Sequence, residues 1–208
     1  MQAALSQGFA RRGIALIGGD TVVGDVGMFS TTLLGALENE NSKPLLRSAV
    51  KPGDTLYVNG TLGKSGAGLW LLMNHPEAKD EFPMLVEYHL APKICESAGA
   101  ELLRLGAVGA CMDISDGLSS ELNHLALSSN VDLQILENKL PIDPEVTRLC
   151  EKYGQNPLNF ALNGGEEYHL LFANSSPKSI FKTNTKLGEV CEIGFAVEKS
   201  AGDPVNML

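Results

Sequence analysis

The strongest constraint on the fold of this chain is the alternation of short apolar segments with amphipathic ones. Residues 55–59, 131–136 and 168–173 have the length and apolar character of buried β-strands. Between such segments lie stretches with helical periodicity, of which 116–128 is the clearest. Strands that alternate with helices predict an α/β (α+β) chain. The other predicted elements of this part are helices at 63–74, 92–105 and 143–153 and strands at 107–114 and 189–197.

The first forty residues predict a fragment of a sheet with no core of its own. Residues 3–12 have the pattern of a helix tail, 14–17 that of a buried strand, and 28–37 that of a second strand. The polar segment 38–44 suits a linker. We therefore expect a second domain to begin at about residue 42, and we expect further sequence upstream of this chain.

The charge balance excludes one class of partner and leaves another open. The chain has 16 basic and 25 acidic residues, a net charge of −9, whereas nucleic-acid binding needs a basic face. Clustered acidic side chains can still hold Mg²⁺, which in turn binds nucleotide phosphates. Because no apolar run approaches ~20 residues, we expect no membrane span, and we predict a cytoplasmic protein.

The first segment that suggests chemistry is Gly18-Gly19-Asp20-Thr21, after the predicted strand 14–17. Two glycines allow a ligand to approach the backbone, and an aspartate beside a hydroxyl can hold a hard cation. A plain turn between two strands is the alternative interpretation.

A second segment, Asp113-Ile114-Ser115-Asp116-Gly117, lies between a predicted strand and a predicted helix. Two carboxylates three residues apart can share metal ions, and a hydroxyl at a helix N-terminus can bind phosphate. The alternative is helix capping by Ser115 or Asp116, with Glu121 serving the first turn.

A third segment, Asn163-Gly164-Gly165-Glu166-Glu167-Tyr168, precedes the predicted strand 168–173. Adjacent glutamates after two glycines could reach hydrogen-bond donors of a substrate. The alternative is an exposed acidic entry to a hairpin.

A fourth segment, Gly60-Thr61-Leu62-Gly63-Lys64-Ser65, has half the signature of a nucleotide-binding phosphate loop. That signature needs a glycine five residues before Gly63, where this chain has Val58. We expect these glycines to allow close packing of the strand and the helix instead.

Four strings together resemble the thiamine-monophosphate kinase family, within the superfamily of aminoimidazole ribonucleotide synthetase. They are Leu16–Thr21, Arg47–Asp54, Asp113–Leu118 and Gly164–Tyr168, and the likeness covers practically the whole chain. The resemblance implies ATP-dependent phosphorylation of thiamine monophosphate to thiamine diphosphate. It also implies that residues 1–38 are a remnant of an N-terminal ATP-binding domain and that 42–208 form the C-terminal domain.

The resemblance assigns the nucleotide to four residues. Gly19 and Asp20 would contact ATP, Arg47 would reach its phosphates, and Ser115 would also bind the nucleotide. A planar guanidinium suits phosphate oxygens because it donates several hydrogen bonds in one plane.

The resemblance also assigns the metal and the acceptor substrate. Asp20, Asp113 and Asp116 would bind Mg²⁺, and Glu166 would bind the thiamine end of the acceptor. Several Mg²⁺ ions would neutralise two polyanions and align them for direct transfer, without a covalent phosphoenzyme.

Departures from the family pattern lead to further expectations. The family has Asp-Tyr-Glu where this chain has Glu167-Tyr168-His169, and it has about one hundred further N-terminal residues. We therefore expect this chain alone to be inactive or nearly so, and the longer parent to be a homodimer. The alternatives are another small-molecule ATP-dependent enzyme of the superfamily and a non-catalytic binding module.

Overall fold

The computed structural model describes residues 2–37, 43–106, 109–175 and 186–208. The chain divides into two units, residues 1–36 and 37–208. In the first unit, α1 (Gln2–Arg11) ends where Gly13 takes a φ of +69°. Such a left-handed glycine is a common helix stop.

Residues 14–37 contain no helix or strand, so the strands predicted at 14–17 and 28–37 are wrong. Every residue of this stretch is exposed, including Ile17 and Val22 at about four fifths of their full area. A strand forms when another strand receives its backbone hydrogen bonds. Residues 14–37 do not form a strand pair among themselves, so the apolar pattern alone was insufficient. Most of the predicted linker, residues 38–42, lies outside the described residues.

The second unit is built on one mixed six-stranded sheet, which confirms the predicted fold class. Across the sheet the strand order is β2-β4-β1-β5-β3-β6. All neighbouring strands are antiparallel except β3 and β6, which are parallel. The strands are β1 (Thr55–Asn59), β2 (Cys111–Asp113), β3 (Val131–Ile135), β4 (Leu170–Asn174), β5 (Val190–Glu198) and β6 (Val205–Met207).

Six α-helices accompany this sheet in the described part of the second unit. They are α2 (Lys64–Asn74), α3 (Pro83–Leu90), α4 (Ala98–Arg104), α5 (Leu118–Ser129), α6 (Pro144–Tyr153) and α7 (Pro157–Asn163). No helix in the described part of the chain is long and apolar enough to cross a membrane.

Side chains along the central strands point alternately to the two faces of the sheet, and both faces are packed against helices. Leu56 and Val58 of β1 join the main core with α5, whereas Tyr57 between them packs on the other face with α4. Tyr57 lies opposite Phe172 of β4, and the two rings stack with their centroids 5.3 Å apart. A separate apolar cluster joins α2, α3, α6 and α7.

Some helices of the second unit differ from the predicted ones. The helix predicted at 92–105 is formed only at 98–104, while α3 and α7 were missed. Both missed helices begin with a proline, Pro83 and Pro157, in the first turn. Proline is compatible with that position because the first-turn amides have no partner within the helix. Asn156 caps α7 by accepting a 3.0 Å hydrogen bond from the amide of Leu158.

Candidate functional site

Residues 113–117, called here the acidic corner, connect β2 to α5. Asp113 is the last residue of β2, and Gly117 precedes α5 with a φ of +113°, which favours glycine. Ile114 anchors the corner with a fully buried side chain. Asp113 and Asp116 are exposed, so their carboxylates are accessible to a ligand.

Glu121 of α5 organises the acidic corner from inside the protein. Its side chain is 1% exposed, and Oε1 accepts hydrogen bonds from the amide and the hydroxyl of Ser115, each at 3.2 Å. The same oxygen accepts from the amide of Asp116 at 3.0 Å. No side chain caps α5, so the interpretation of Ser115 or Asp116 as a helix cap is wrong. Sequence reasoning gave Glu121 only a first-turn role and missed its position beneath the corner.

Residues 164–168, called here the acidic loop, run from α7 to β4 against the acidic corner. The amide of Glu166 donates a 2.7 Å hydrogen bond to the carbonyl of Ser115, and the amide of Tyr168 donates a 2.8 Å bond to that of Ile114. The structure therefore brings together two of the segments that the sequence singled out. The corner and the loop together form the candidate site.

Both glycines of the acidic loop are required by close approach. A Cβ on Gly165 would lie 2.7 Å from the carbonyl oxygen of Ser115, and one on Gly164 would collide with the carbonyl oxygen of Phe160. Real Cβ atoms do not come this close to backbone oxygens, so a larger residue would push the loop off the corner.

The acidic loop also holds two residues in an unfavourable backbone conformation. Glu166 and Tyr168 have φ values of +58° and +55°, in the left-handed region. Residues other than glycine occupy this region at a cost that surrounding contacts must offset, and such residues cluster at functional sites.

The side chains of the acidic loop divide between solvent and interior. Glu166 is exposed, whereas Glu167 is fully buried, so the interpretation as an exposed hairpin entry is wrong. Oε1 of Glu167 accepts a 3.0 Å hydrogen bond from the amide of Ser65, and Oε2 has no partner among the described residues. Burial raises the pKa of Glu167 to about 7, because a buried carboxylate loses its hydration.

Residues 60–65, which resemble a phosphate loop, make their polar contacts with other groups of the protein. Glu167 bonds the N-terminus of α2, the place where such a loop would bind phosphate. The ammonium of Lys64 donates a 2.9 Å hydrogen bond to Oγ1 of Thr61, and it lies 3.6 Å from Oδ2 of Asp143 and 4.5 Å from the centre of the Tyr88 ring. The Ser65 amide and the Lys64 ammonium, which a phosphate would need as donors, thus already have partners within the protein.

Arg47 lies at the other end of α5 from the acidic corner. It is exposed in a turn, and its carbonyl accepts a 3.1 Å hydrogen bond from the hydroxyl of Ser129, the last residue of α5. Twelve helical residues span roughly 16–18 Å at 1.5 Å per residue. The backbone of Arg47 is therefore distant from Ser115 within this unit.

Gly19 and Asp20 lie in the first unit. Both are exposed, and Oδ1 of Asp20 accepts a 2.8 Å hydrogen bond from the amide of Thr21. This local contact is the one expected of an aspartate in a turn.

Among the described residues, no cluster of three or more His, Cys, Asp or Glu side chains could hold a metal ion. The acidic corner supplies two exposed carboxylates, Asp113 and Asp116. Magnesium binds through one or two protein carboxylates and keeps several waters. The corner therefore offers a donor set of the right chemistry for part of a magnesium shell.

Comparison with known proteins identifies a family for most of the second unit. Residues 51–203 match the family model described as AIR synthase related protein, C-terminal domain.

Curated relatives of the chain include two thiamine-monophosphate kinases. The enzyme of Aquifex aeolicus is 40% identical over 158 residues, which cover 75% of this chain and 51% of that protein. The enzyme of Methanopyrus kandleri is 36% identical over 190 residues, which cover 90% of this chain and 59% of that protein. The chain thus spans between half and three fifths of the length of these relatives.

Solved structures share the fold over about four fifths of the chain. The structure of AaThiL complexed with AMPPCP and TMP matches 78% of this chain and 50% of its own, with a TM-score of 0.68 and 39% identity. The hydrogenase maturation protein HypE of Escherichia coli has a TM-score of 0.58 at 21% identity, a likeness of fold alone.

Proposed function

The chain belongs to the family of AIR synthase related proteins, whose C-terminal domain it contains, and we propose that it serves the phosphorylation of thiamine monophosphate by ATP. The product is thiamine diphosphate, formed by direct transfer of the terminal phosphoryl group. Similarity to the thiamine-monophosphate kinases supports this reaction over others of the superfamily.

The observation that carries this proposal is the contact between the acidic loop and the acidic corner. The hydrogen bond from Glu166 to Ser115 places a residue expected to bind the acceptor beside residues expected to bind the metal and the nucleotide. Transfer between two bound groups needs such proximity, because holding the reactants in place removes much of the entropic cost.

The charge of the chain supports a role for cations in the reaction. Both reactants bring negatively charged phosphate groups, and the chain carries a net charge of −9. Asp113 and Asp116 would hold Mg²⁺, and when bound the metal would neutralise charge on the phosphates. The carboxylate of Glu166 suits the thiamine end, which carries a positive charge and an amino group.

The nucleotide assignment comprises four residues. Ser115 belongs to the acidic corner, where its hydroxyl is oriented by Glu121. Gly19, Asp20 and Arg47 remain part of the proposal as ligands of ATP, with Asp20 also a ligand of Mg²⁺.

A homodimer and a cytoplasmic location also belong to the proposal. Residues 14–37 expose several large apolar side chains, among them Val23 and Phe29. Exposed apolar surface often marks an interaction site, which supports a homodimer of the longer parent.

Calorimetric titration tests the proposed substrates. The chain is titrated with thiamine monophosphate in the presence of Mg²⁺, then with Mg²⁺-ATP, and each titration is repeated with EDTA. We expect thiamine monophosphate to bind, and we expect EDTA to abolish or weaken the binding of ATP.

Other substrates of the superfamily provide the competing outcome. Aminoimidazole ribonucleotide precursors and selenide are added as competitors at the same concentrations. Displacement of thiamine monophosphate by one of them would move the assignment to that substrate. Because we expect this chain alone to be inactive or nearly so, binding without turnover would identify a binding module only if the longer parent also transfers no phosphoryl group.

A further inference from the structure

Glu167 lies where three elements meet beneath the acidic loop. Its carboxylate bonds the amide of Ser65 at the start of α2. Its backbone carbonyl accepts a 2.7 Å hydrogen bond from the hydroxyl of Tyr88 on α3. Burial raises the pKa of Tyr88, so that hydroxyl stays protonated and able to donate. The loop is thereby fixed from below through both the side chain and the backbone of one residue.

The two sequence neighbours of Glu167 have backbone conformations that require support from surrounding contacts. Glu166 and Tyr168 both have left-handed backbones, and each donates its amide to the acidic corner. Two strained residues on either side of one anchored residue persist only when the surroundings determine the conformation. Contacts to Ser115 and Ile114 supply one side of that constraint, and Glu167 supplies the other.

We propose that Glu167 is a positioning residue for the acceptor substrate. Its buried carboxylate, bonded to the N-terminus of α2, holds the acidic loop so that Glu166 stands exposed beside the acidic corner. Glu167 itself does not touch the substrate, because its side chain has no exposed area. The identity of the substrate rests on the proposed function, whereas the constraint on the loop does not.

The unpartnered oxygen of Glu167 supports this role. Oε2 is buried with no hydrogen-bond partner among the described residues. Leaving a buried polar atom unsatisfied is unfavourable, and a purely structural position would be filled better by an apolar side chain. A carboxyl group at this position is therefore explained by the bond that Oε1 makes to Ser65.

The test compares two substitutions of nearly equal size. Glu167→Met removes both oxygens, whereas Glu167→Gln keeps one acceptor for the Ser65 amide. Hydrogen exchange is measured without ligand at the amides of Glu166 and Tyr168, and affinity for thiamine monophosphate is measured by calorimetry. Glu151→Gln, an exposed glutamate of α6, is the control.

We expect Glu167→Met to speed exchange at both amides about tenfold, equal to the loss of one hydrogen bond's stabilisation. Affinity for thiamine monophosphate should fall by a similar factor while affinity for Mg²⁺-ATP is unchanged. Glu167→Gln should restore both values to within about twofold. A fall in affinity for both ligands, or no rescue by glutamine, would show a structural role and overturn the proposal.

Two further measurements decide the outcome if the first variant does not fold or the chain binds no thiamine monophosphate. If Glu167→Met does not fold, Tyr88→Phe removes one hydroxyl beneath the same loop and should speed exchange at Glu166 and Tyr168 in the same direction. Unchanged exchange in that variant would contradict the proposal. If the unmodified chain binds no thiamine monophosphate, the proposed function fails, and the exchange rates alone decide whether Glu167 positions the loop.

Discussion

The amide of Glu166 lies 2.7 Å from the carbonyl oxygen of Ser115 and donates a hydrogen bond to it. These residues are fifty-one positions apart, and they belong to two segments that the sequence identified separately. Pairing of β2 with β4, in which Asp113 lies opposite Leu170, brings the segments to the same end of the sheet. The candidate site is thus a consequence of strand register.

Substituting Gly165 by alanine should separate the acidic loop from the acidic corner. The added Cβ would lie 2.7 Å from the carbonyl oxygen of Ser115, which is backbone and cannot rotate away. We expect a loss of about 1–3 kcal/mol in the free energy of unfolding, the usual cost of forcing an atom into packed space. Urea denaturation measures it. The control is Gly99→Ala in α4, because a Cβ added to this half-buried glycine would have no atom within 4 Å.

Substituting Glu121 by alanine should destabilise the acidic corner. Three donors from Ser115 and Asp116 share Oε1 of Glu121, and the substitution would leave them without that acceptor. We expect a loss of about 2–4 kcal/mol by urea denaturation, since buried donors without partners are costly. Glu121→Gln, which keeps an acceptor oxygen, should lose less. Equal losses in both variants would contradict this account of the corner.

Glu167 should make the stability of the chain depend on pH. Its pKa is raised from the ordinary value of 4.5 to about 7, chiefly by burial. Between these values the folded chain keeps a proton that the unfolded chain has released, so this contribution falls as pH rises, by on the order of 1 kcal/mol per pH unit. Below pH 4.5 the contribution is complete, and above pH 7 it has been lost.

Other charged groups lie near Glu167, so its effect on stability is measured as the difference between the unmodified chain and the Glu167→Gln variant. The ammonium of Lys64 and the carboxylate of Asp143 act on it in opposite directions, with Tyr88 and His89 nearby on α3. Burial lowers the pKa of His169 to about 4, which makes stability rise with pH up to about 6.5. The stability of the unmodified chain minus that of Glu167→Gln should therefore fall between pH 4.5 and 7. A constant difference would contradict the raised pKa.

Asp132 of β3 should give the opposite pH dependence at the far side of the sheet. Hydrogen bonds from Lys199 and Ser200 lower its pKa to about 2, with the Lys199 ammonium 2.7 Å from Oδ1. This contribution is present above the ordinary pKa of 3.8 and is lost as pH falls through about 2. Asp132→Asn should lower the melting temperature at pH 7 but have little effect near pH 2. Exposed Asp80→Asn should change neither.

Local pattern predicted the acidic corner and the acidic loop as separate candidates, because glycine and carboxylate at the end of a strand are visible in sequence. The positions of Glu121 and Glu167 could not be predicted in the same way. Both are glutamates whose side chains are almost wholly buried, and burial depends on how α5 and α2 pack against the sheet. A charged side chain is usually exposed, so sequence alone favoured the wrong surroundings.

The strand predicted at residues 14–17 is an element that the pattern predicted but that the structure does not contain. Four consecutive apolar residues satisfy the pattern of a buried strand, but the pattern says nothing about a partner for the backbone. The helices beginning at Pro83 and Pro157 were not predicted, although each has a proline in its first turn. Proline both ends a helix and begins one, and only the following residues distinguish the two.

The most direct test of the account is calorimetric titration of thiamine monophosphate into the Glu166→Gln variant. Glu166→Gln removes the exposed charge of the acidic loop, whereas Glu151→Gln makes the same change on an exposed face of α6. If the acidic loop binds the thiamine end, affinity should fall about tenfold in the first variant, as for a lost charge-assisted hydrogen bond. It should be unchanged in the second. Equal affinity of both variants and the unmodified chain would contradict the assignment of this site.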